Sequence, residues 1–246
     1  MEMSRNTAIL SNNRGMVALD SPVKLKILEL LNNGYSSFDE LVEKSMKAKS
    51  TISVHLRDLQ EMDLIHEKTF PNDKRKKYFV LNAIYLAYSE PPIHQQYDTQ
   101  MDIITSSIVD GDSFKEKLFC SFRYVMEAHG IDPKPILKKL GTDIGIRIGR
   151  DFESKEFGGV LDEISDFWKE HRLGDMTIKN GNGTEITVVN CYHCGKMPDV
   201  GKTLCSMDEG FIEGVFLSKL KYACRVSEIE CYGTGHKNCK FILKEK

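Results

Sequence analysis

The first 119 of the 246 residues contain no cysteine. The N-terminal half therefore offers neither a disulfide framework nor a thiolate metal site. No stretch approaches the ~18 apolar residues that a membrane-spanning helix needs. The first 20 residues also lack the apolar core run of a signal peptide. These absences point to a cytoplasmic chain with no membrane partner. Charge of one sign is in no great excess either, since the formal net charge is −2. That excludes only a uniformly basic nucleic-acid binder, because a mean over two domains hides opposite halves. Apolar residues make up 41% and charged residues 28%, which excludes a wholly disordered or collagen-like chain.

The length is what two domains would need, each with its own core. Residues 1–85 hold 13 Lys and Arg against 11 Asp and Glu, and the remainder holds 21 against 25. From Lys44 to Lys77 the count is 9 against 5. A basic segment thus lies inside a nearly neutral chain.

That segment has an ordered pattern. Ser21-Pro22 reads as an N-cap and first helical residue, followed by Val23, Ile27, Leu30 and Leu31 at helical spacing, with Gly34 as the stop. Ser37 to Glu40 is a capping box for a second helix carrying Leu41 and Val42. Ser50 is expected to cap a third, with Ile52, Leu56 and Leu59 inward. Two strand-like runs follow, Ile65–Phe70 and Tyr78–Leu81, separated by Pro71-Asn72-Asp73 and the basic run Lys74-Arg75-Lys76-Lys77. Three short helices and a basic hairpin make a winged helix-turn-helix. Its third helix would offer Lys49, Ser50, Thr51, Ser53, His55 and Arg57 to the major groove of double-stranded operator DNA. Lys74, Arg75, Lys76 and Lys77 would neutralise phosphates.

The segment Ser50-Thr51-Ile52-Ser53-Val54-His55-Leu56-Arg57-Asp58-Leu59 resembles the recognition helix of ArsR-like winged-helix regulators, over roughly residues 15–85. Metal-sensing members often carry a Cys-x-Cys pair near this helix, and this chain has no cysteine there. Metal sensing through this domain is therefore not expected.

Residues 86–112 read as a linker, with a short helix near Met101–Ile108. Ser113 to Glu116 is a further capping box. It opens an amphipathic helix with Phe114, Leu118, Phe122, Val125 and Met126, which either packs on its own domain or serves a dimer. Cys120 on this helix reads as a small buried side chain. Residues 113–246 read as an α+β sensor domain with helices on an antiparallel sheet. Asp132-Pro133 is expected to cap a helix bearing Gly141, Gly145 and Gly149 every fourth residue, so that a neighbouring helix or a ligand approaches its backbone. A helix follows from about Gly159 to His171. Asn180-Gly181-Asn182-Gly183 marks a hairpin between two strands, and Thr203 to Leu220 is a helix with Gly210 and Gly214. Cys224–Cys231 and Cys239–Leu243 are the last strands.

Cys191-x-x-Cys194 suits either a metal knuckle or a reactive dithiol. Cys205 sits near a helix N-terminus, where the dipole favours a thiolate. Cys224 and Cys231 should face opposite sides of their strand unless a bulge intervenes. Cys231 and Cys239 flank the last hairpin, within disulfide or common-ligand reach. A metal set of Cys191, Cys194, Cys231 and Cys239 would hold zinc. His236 reads as a solvated loop residue. No dinucleotide fingerprint is present, so no nucleotide or flavin is expected.

The run from Glu228 through Cys231, Gly233-Thr234-Gly235 and Cys239 to Phe241 resembles the closing motif of the 4-vinyl reductase domain, and the resemblance spans about residues 113–246. It implies a sensor with a possible small hydrophobic ligand and a cysteine-rich patch, not an enzyme. An ArsR-like domain fused to this one resembles the redox-responsive transcription regulators of methanogens. That resemblance implies an archaeal homodimer in which Cys205, Cys224, Cys231 and Cys239 switch DNA binding, the reduced form being competent. The rival expectation is a ligand-sensing regulator whose cysteines hold structural zinc.

Overall fold

The computed structural model describes residues 7–32, 34–70, 73–92, 97–109, 114–180, 183–195 and 199–245. The chain divides into two compact units, Met1–Glu90 and Pro91–Lys246.

The first unit opens with a hairpin of β1 (Thr7–Asn12) and β2 (Gly15–Leu19), which the sequence pattern does not announce. The helices α1 (Pro22–Leu31), α2 (Phe38–Ser45) and α3 (Lys49–Glu61) follow, with β3 (Tyr35–Ser37) between the first two. Strands β4 (Ile65–Phe70), β5 (Asp73–Leu81) and β6 (Ile84–Ser89) complete it. Strand order β3-β5-β4 forms the wing sheet, and β6 pairs antiparallel with β1. Ser21 caps α1 and Pro22 opens it, as expected. The Ser37–Glu40 box closes in both directions, with the Glu40 carboxylate accepting from the Ser37 N–H at 2.7 Å.

One local expectation is corrected. Ala48, not Ser50, is the N-cap of α3, and it provides no side-chain cap. Met46 ends α2 in the left-handed conformation (φ 53°), so the connection is short and α3 starts at Lys49. Leu41, Ile52, Leu56 and Leu59 join Ala8, Leu10, Ile27 and Leu31 in one buried core. The β1–β2 hairpin also supplies what α3 lacks at its far end. Asn12 Nδ2 donates to the Met62 carbonyl at 2.8 Å, and Arg14 Nη1 donates to the Glu61 carbonyl at 3.0 Å. The last carbonyls of a helix need such partners, so the hairpin fixes the C-terminal end of α3.

The second unit begins with α4 (Tyr97–Val109), which contains the helix expected near Met101–Ile108. It continues with α5 (Phe114–Ala128), the two-residue β7 (Ile131–Asp132), α6 (Lys134–Ile148) and α7 (Phe157–Glu170). Ser113 of the expected capping box lies outside the described residues. Pro133, rather than Asp132, occupies the N-cap of α6, although Asp132 Oδ1 still accepts the Lys134 N–H at 3.1 Å. Then come β8 (Asp175–Asn180), β9 (Thr184–Val189), α8 (Ser206–Leu220), β10 (Cys224–Glu230) and β11 (Cys239–Glu245). The sheet order is β10-β11-β9-β8, antiparallel throughout.

The glycine rows explain how α6 and α8 pack. A methyl on Gly141 would overlap the Met207 carbonyl, and one on Gly145 the Phe211 carbonyl. In return, Gly210 faces the Lys138 carbonyl and Gly214 the Thr142 carbonyl. The neighbour that needs these glycines is therefore a helix. Lys138 sits between Glu209 and Glu213 at 3.0 and 2.8 Å. Those two carboxylates also accept the Glu228 and Val226 N–H groups of the edge strand β10. The same side chains thus join α6 to α8 and close an open strand edge.

Candidate functional site

Two sites emerge, one in each unit. In the first, Ile52, Leu56 and Leu59 hold α3 to the core, and Ser50, Ser53, Val54 and Arg57 are exposed. Lys49 is exposed at the helix start, where it pairs with Asp39 at 3.4 Å. Thr51 and His55 are half-buried, so they flank the exposed face instead of leading it. Sequence reasoning passes over Val54, which is 47% exposed in the middle of that face. Its one signal is an apolar residue out of step with the stripe. The basic run lies on strand β5 and not in a loop. Lys76 and Lys77 are exposed there, and Lys77 pairs with Glu67 at 3.1 Å. The side chains of Lys74 and Arg75 lie outside what the structure describes.

In the second unit, four element ends converge. Cys191 and Cys194 lie in the tight turn after β9, where the Gly195 N–H donates to the Cys191 carbonyl at 2.8 Å. Cys205 is the N-cap of α8, as the sequence placed it. Cys231 follows β10, and Cys239 opens β11. Their sulfurs meet. Cys194 Sγ is 3.1 Å from Cys239 and 3.4 Å from Cys205, Cys205 is 3.4 Å from Cys239, and Cys231 is 4.0 Å from Cys239. One Sγ from each of Cys194, Cys205, Cys231 and Cys239 lies within 4.8 Å of every other, all of them buried. Four thiolates about 2.3 Å from one tetrahedral zinc stand about 3.8 Å apart. The set fits that ion.

Cys191 is a fifth sulfur, 4.0 Å from Cys205, and it forms an overlapping group with His193, Cys194 and Cys205. The expected pairing of Cys191 and Cys194 with Cys231 and Cys239 is thus brought together with Cys205 added. Cys224 is not brought together with them. The strand bulge between Glu228 and Glu230 resets the alternation, so Cys224 and Cys231 are both buried. Seven residues of strand still separate them by roughly 23 Å. His236 is exposed and meets Thr234 Oγ1 at 2.9 Å.

Polar groups surround the sulfurs. Buried His193 has Nδ1 at 3.6 Å from Cys191 Sγ and 4.0 Å from Asp208 Oδ2. Burial pulls this imidazole down, but Cys191 and Asp208 outweigh it and hold it up at about 9. Burial pushes Asp208 up to about 7 and Glu228 up to about 8. Burial also pushes the Cys205 thiol well up, against the helix dipole. Glu228 Oε2 accepts the Cys205 N–H at 2.8 Å and so fixes the cap residue. Gly233 lets the Cys231 turn lie against Lys202 and Leu204, where a methyl would collide. Sequence reasoning gives His193, Asp208 and Glu228 no role. Only the Cys-x-His-Cys order hints at the first.

The fold and site define a DNA-binding module of transcription regulation joined to a cysteine-rich α+β domain. Residues 21–67 match the bacterial regulatory protein, arsR family, and residues 184–245 match the 4-vinyl reductase domain. The chain belongs to the family of the uncharacterized protein MJ1642 of Methanocaldococcus jannaschii, with an arsR-family helix-turn-helix ahead of the 4-vinyl reductase domain. It is 30% identical to that protein over 136 residues, 55% of this chain and 78% of the relative. A second protein of that methanogen, MJ0150, is 25% identical over 54% of this chain and 78% of its own length. Among solved structures, a vinyl-4-reductase family protein from the same organism aligns at a TM-score of 0.39 and 17% identity, over 61% of this chain and 95% of that one. Among the described residues, no helix is long and apolar enough to cross a membrane.

Proposed function

We propose that the chain is a cytoplasmic, redox-responsive transcription regulator that binds operator DNA as a homodimer when its cysteines are reduced. The observation that carries this reading is the convergence of Cys194, Cys205, Cys231 and Cys239 in one buried group, in a chain whose DNA-binding unit has no cysteine. In the reduced state these four thiols would hold zinc, which would cross-link the ends of β9, α8, β10 and β11. On oxidation, two thiols give up two protons and two electrons to a peroxide or disulfide oxidant and form one S–S bond. Two of the four ligands are then lost together, and the loops that carry them must rearrange.

The DNA face on this reading is Lys49, Ser50, Ser53, Val54 and Arg57 in the major groove, flanked by Thr51 and His55. Lys74, Arg75, Lys76 and Lys77 lie against phosphates. The homodimer is supported by the stripe of Phe114, Leu118 and Phe122 on α5, each more than half exposed. Half-site spacing is strict for a dimer of this kind, so a small change in the sensor unit is enough to abolish specific binding.

The test begins with a sequence selected from a random DNA library by the reduced protein. Gel shifts on that sequence follow, in reductant and after treatment with diamide, with zinc and free thiols counted in each state. The expected result is loss of specific binding with disulfide formation, reversed by reductant. Equal affinity in both states refutes the reading. The near-tetrahedral sulfur spacing also favours a second reading, in which zinc is purely structural and a small hydrophobic ligand is the signal. Zinc and thiols unchanged under diamide would select it.

A further inference from the structure

Helix α5 grips both loops that deliver ligands to the sulfur group. Arg123 is 4% exposed, yet it carries a full charge. Its Nε pairs with Glu127 Oε1 at 3.0 Å, and its Nη1 donates to the carbonyl of Leu204, the residue before Cys205. Its Nη2 has no hydrogen-bond partner among the described residues. Glu127 reaches Lys202 in the same loop at 3.5 Å. One turn earlier on α5, Cys120 Sγ donates to the carbonyl of His193, the residue before Cys194, at 2.9 Å. His193 Nε2 lies 3.4 Å from the same Leu204 carbonyl. The Cys194 and Cys205 loops are thus tied to each other and to one helix through the carbonyls that precede the two cysteines.

The opposite side of this stretch of α5 is packed on α4. Tyr124 is fully buried and stacks on Tyr97 at 6.1 Å, with the ring planes 3° apart. Helix α4 is the first element of the second unit, directly after the DNA-binding unit in the chain.

We propose that Arg123 is a positioning residue: it holds Leu204–Cys205 in place for the sulfur group and ties the state of that group to α5 and α4. A buried guanidinium needs its acceptors, because an uncompensated buried charge is strongly unfavourable. Arg123 has two, Glu127 and the Leu204 carbonyl. Any shift of Cys205 drags that carbonyl away, and α5 must then follow or leave the charge short of an acceptor. This proposal rests on the redox reading for its effect on DNA, but not for its effect on the metal site.

The experiment uses the full chain as Arg123→Ala, Arg123→Lys and Glu127→Gln, with circular dichroism to check folding. The first readout is zinc release to a chromogenic chelator from the reduced protein. Loss of an outer support typically weakens a metal site by about tenfold or more, so release should be faster by about that factor in Arg123→Ala. Arg123→Lys should recover part of the difference, since it restores the charge but not the planar fork. The second readout is the ratio of DNA affinity between reduced and diamide-treated protein, which should fall toward unity in Arg123→Ala. Wild-type zinc release and a wild-type ratio in a folded Arg123→Ala variant overturn the proposal. Where Arg123→Ala does not fold, Glu127→Gln carries the same two readouts with the buried volume kept. If wild-type DNA binding ignores diamide, the redox reading fails, and the zinc arm still decides the positioning role.

Discussion

Gly145→Ala and Gly158→Ala are the same chemical change on two helices of one unit, and they should move stability in opposite directions. A methyl at Gly145 meets the Phe211 carbonyl, which is backbone and has no rotamer to escape into. Helices α6 and α8 would have to part there, and parting them loosens the reciprocal seats of Gly210 and Gly214. Overpacking of this kind costs about 1–3 kcal/mol or more, against a gain in helix propensity of at most about 1 kcal/mol. The upper part of that range applies because the obstacle cannot rotate, so the net loss should be about 2 kcal/mol. For a unit of this size that lowers the melting temperature by roughly 4–8 °C. A methyl at Gly158, near the start of α7, meets nothing within 4 Å. There the propensity gain stands alone, and the melting temperature should rise by roughly 2–4 °C. Thermal melts of both variants, followed by far-ultraviolet circular dichroism, make the comparison. If Gly145→Ala matches or exceeds the wild type, the close approach of α6 to α8 is wrong, and so is the seat it gives Cys205 at the head of α8.

Cys194→Ser should reduce bound zinc well below one ion per chain, whereas Cys224→Ser should leave it unchanged, by atomic absorption on protein purified under reductant. Replacing Lys76 and Lys77 together with Gln should weaken binding to all DNA sequences alike. It should also flatten the slope of log affinity against log salt by about 0.9 for each phosphate no longer neutralised, measured by fluorescence anisotropy; an unchanged slope removes these two residues from the interface. Ser37→Ala removes the cap of α2 and should cost about 1 kcal/mol near pH 7. The Ser37 N–H and hydroxyl hold the Glu40 carboxyl below its usual range. A carboxyl depressed on folding stabilises above its unfolded value, and that contribution is lost as pH falls through the folded one. The gap between wild type and variant should therefore narrow below about pH 4, as denaturant titrations at several pH values would show.

What is legible in the sequence is what short-range rules decide. Ser21-Pro22, the Ser37–Glu40 box and the Ile52, Leu56, Leu59 stripe each involve residues within a few turns, and the structure places them as read. The start of α3 falls outside those rules. A serine at position 50 looks like a cap, but the left-handed Met46 before it leaves room for the helix to begin at Lys49. The β1–β2 hairpin escapes them for another reason. Its value lies in Asn12 and Arg14 reaching Glu61 and Met62, about fifty positions away, and no local pattern encodes that.

The cysteines show the same division more sharply. Spacing along the chain groups them by neighbours: Cys191 with Cys194, Cys224 with Cys231, Cys231 with Cys239. The site is instead made where elements stop, because a sulfur at a strand end or helix cap is free to turn toward a common point. Cys231 and Cys239 qualify as the two ends of one hairpin, Cys194 as the exit of β9, and Cys205 as the cap of α8. Cys224 does not, since it opens β10 at the far end from Cys231. Parity along a strand answers which face a side chain takes, but it says nothing about which end of the sheet it occupies. The order β10-β11-β9 brings Cys239 beside both Cys231 and the β9 exit, and that order is a tertiary fact. A rule that asks which cysteines lie at adjoining element ends would select Cys194, Cys205, Cys231 and Cys239. It would need the strand order first.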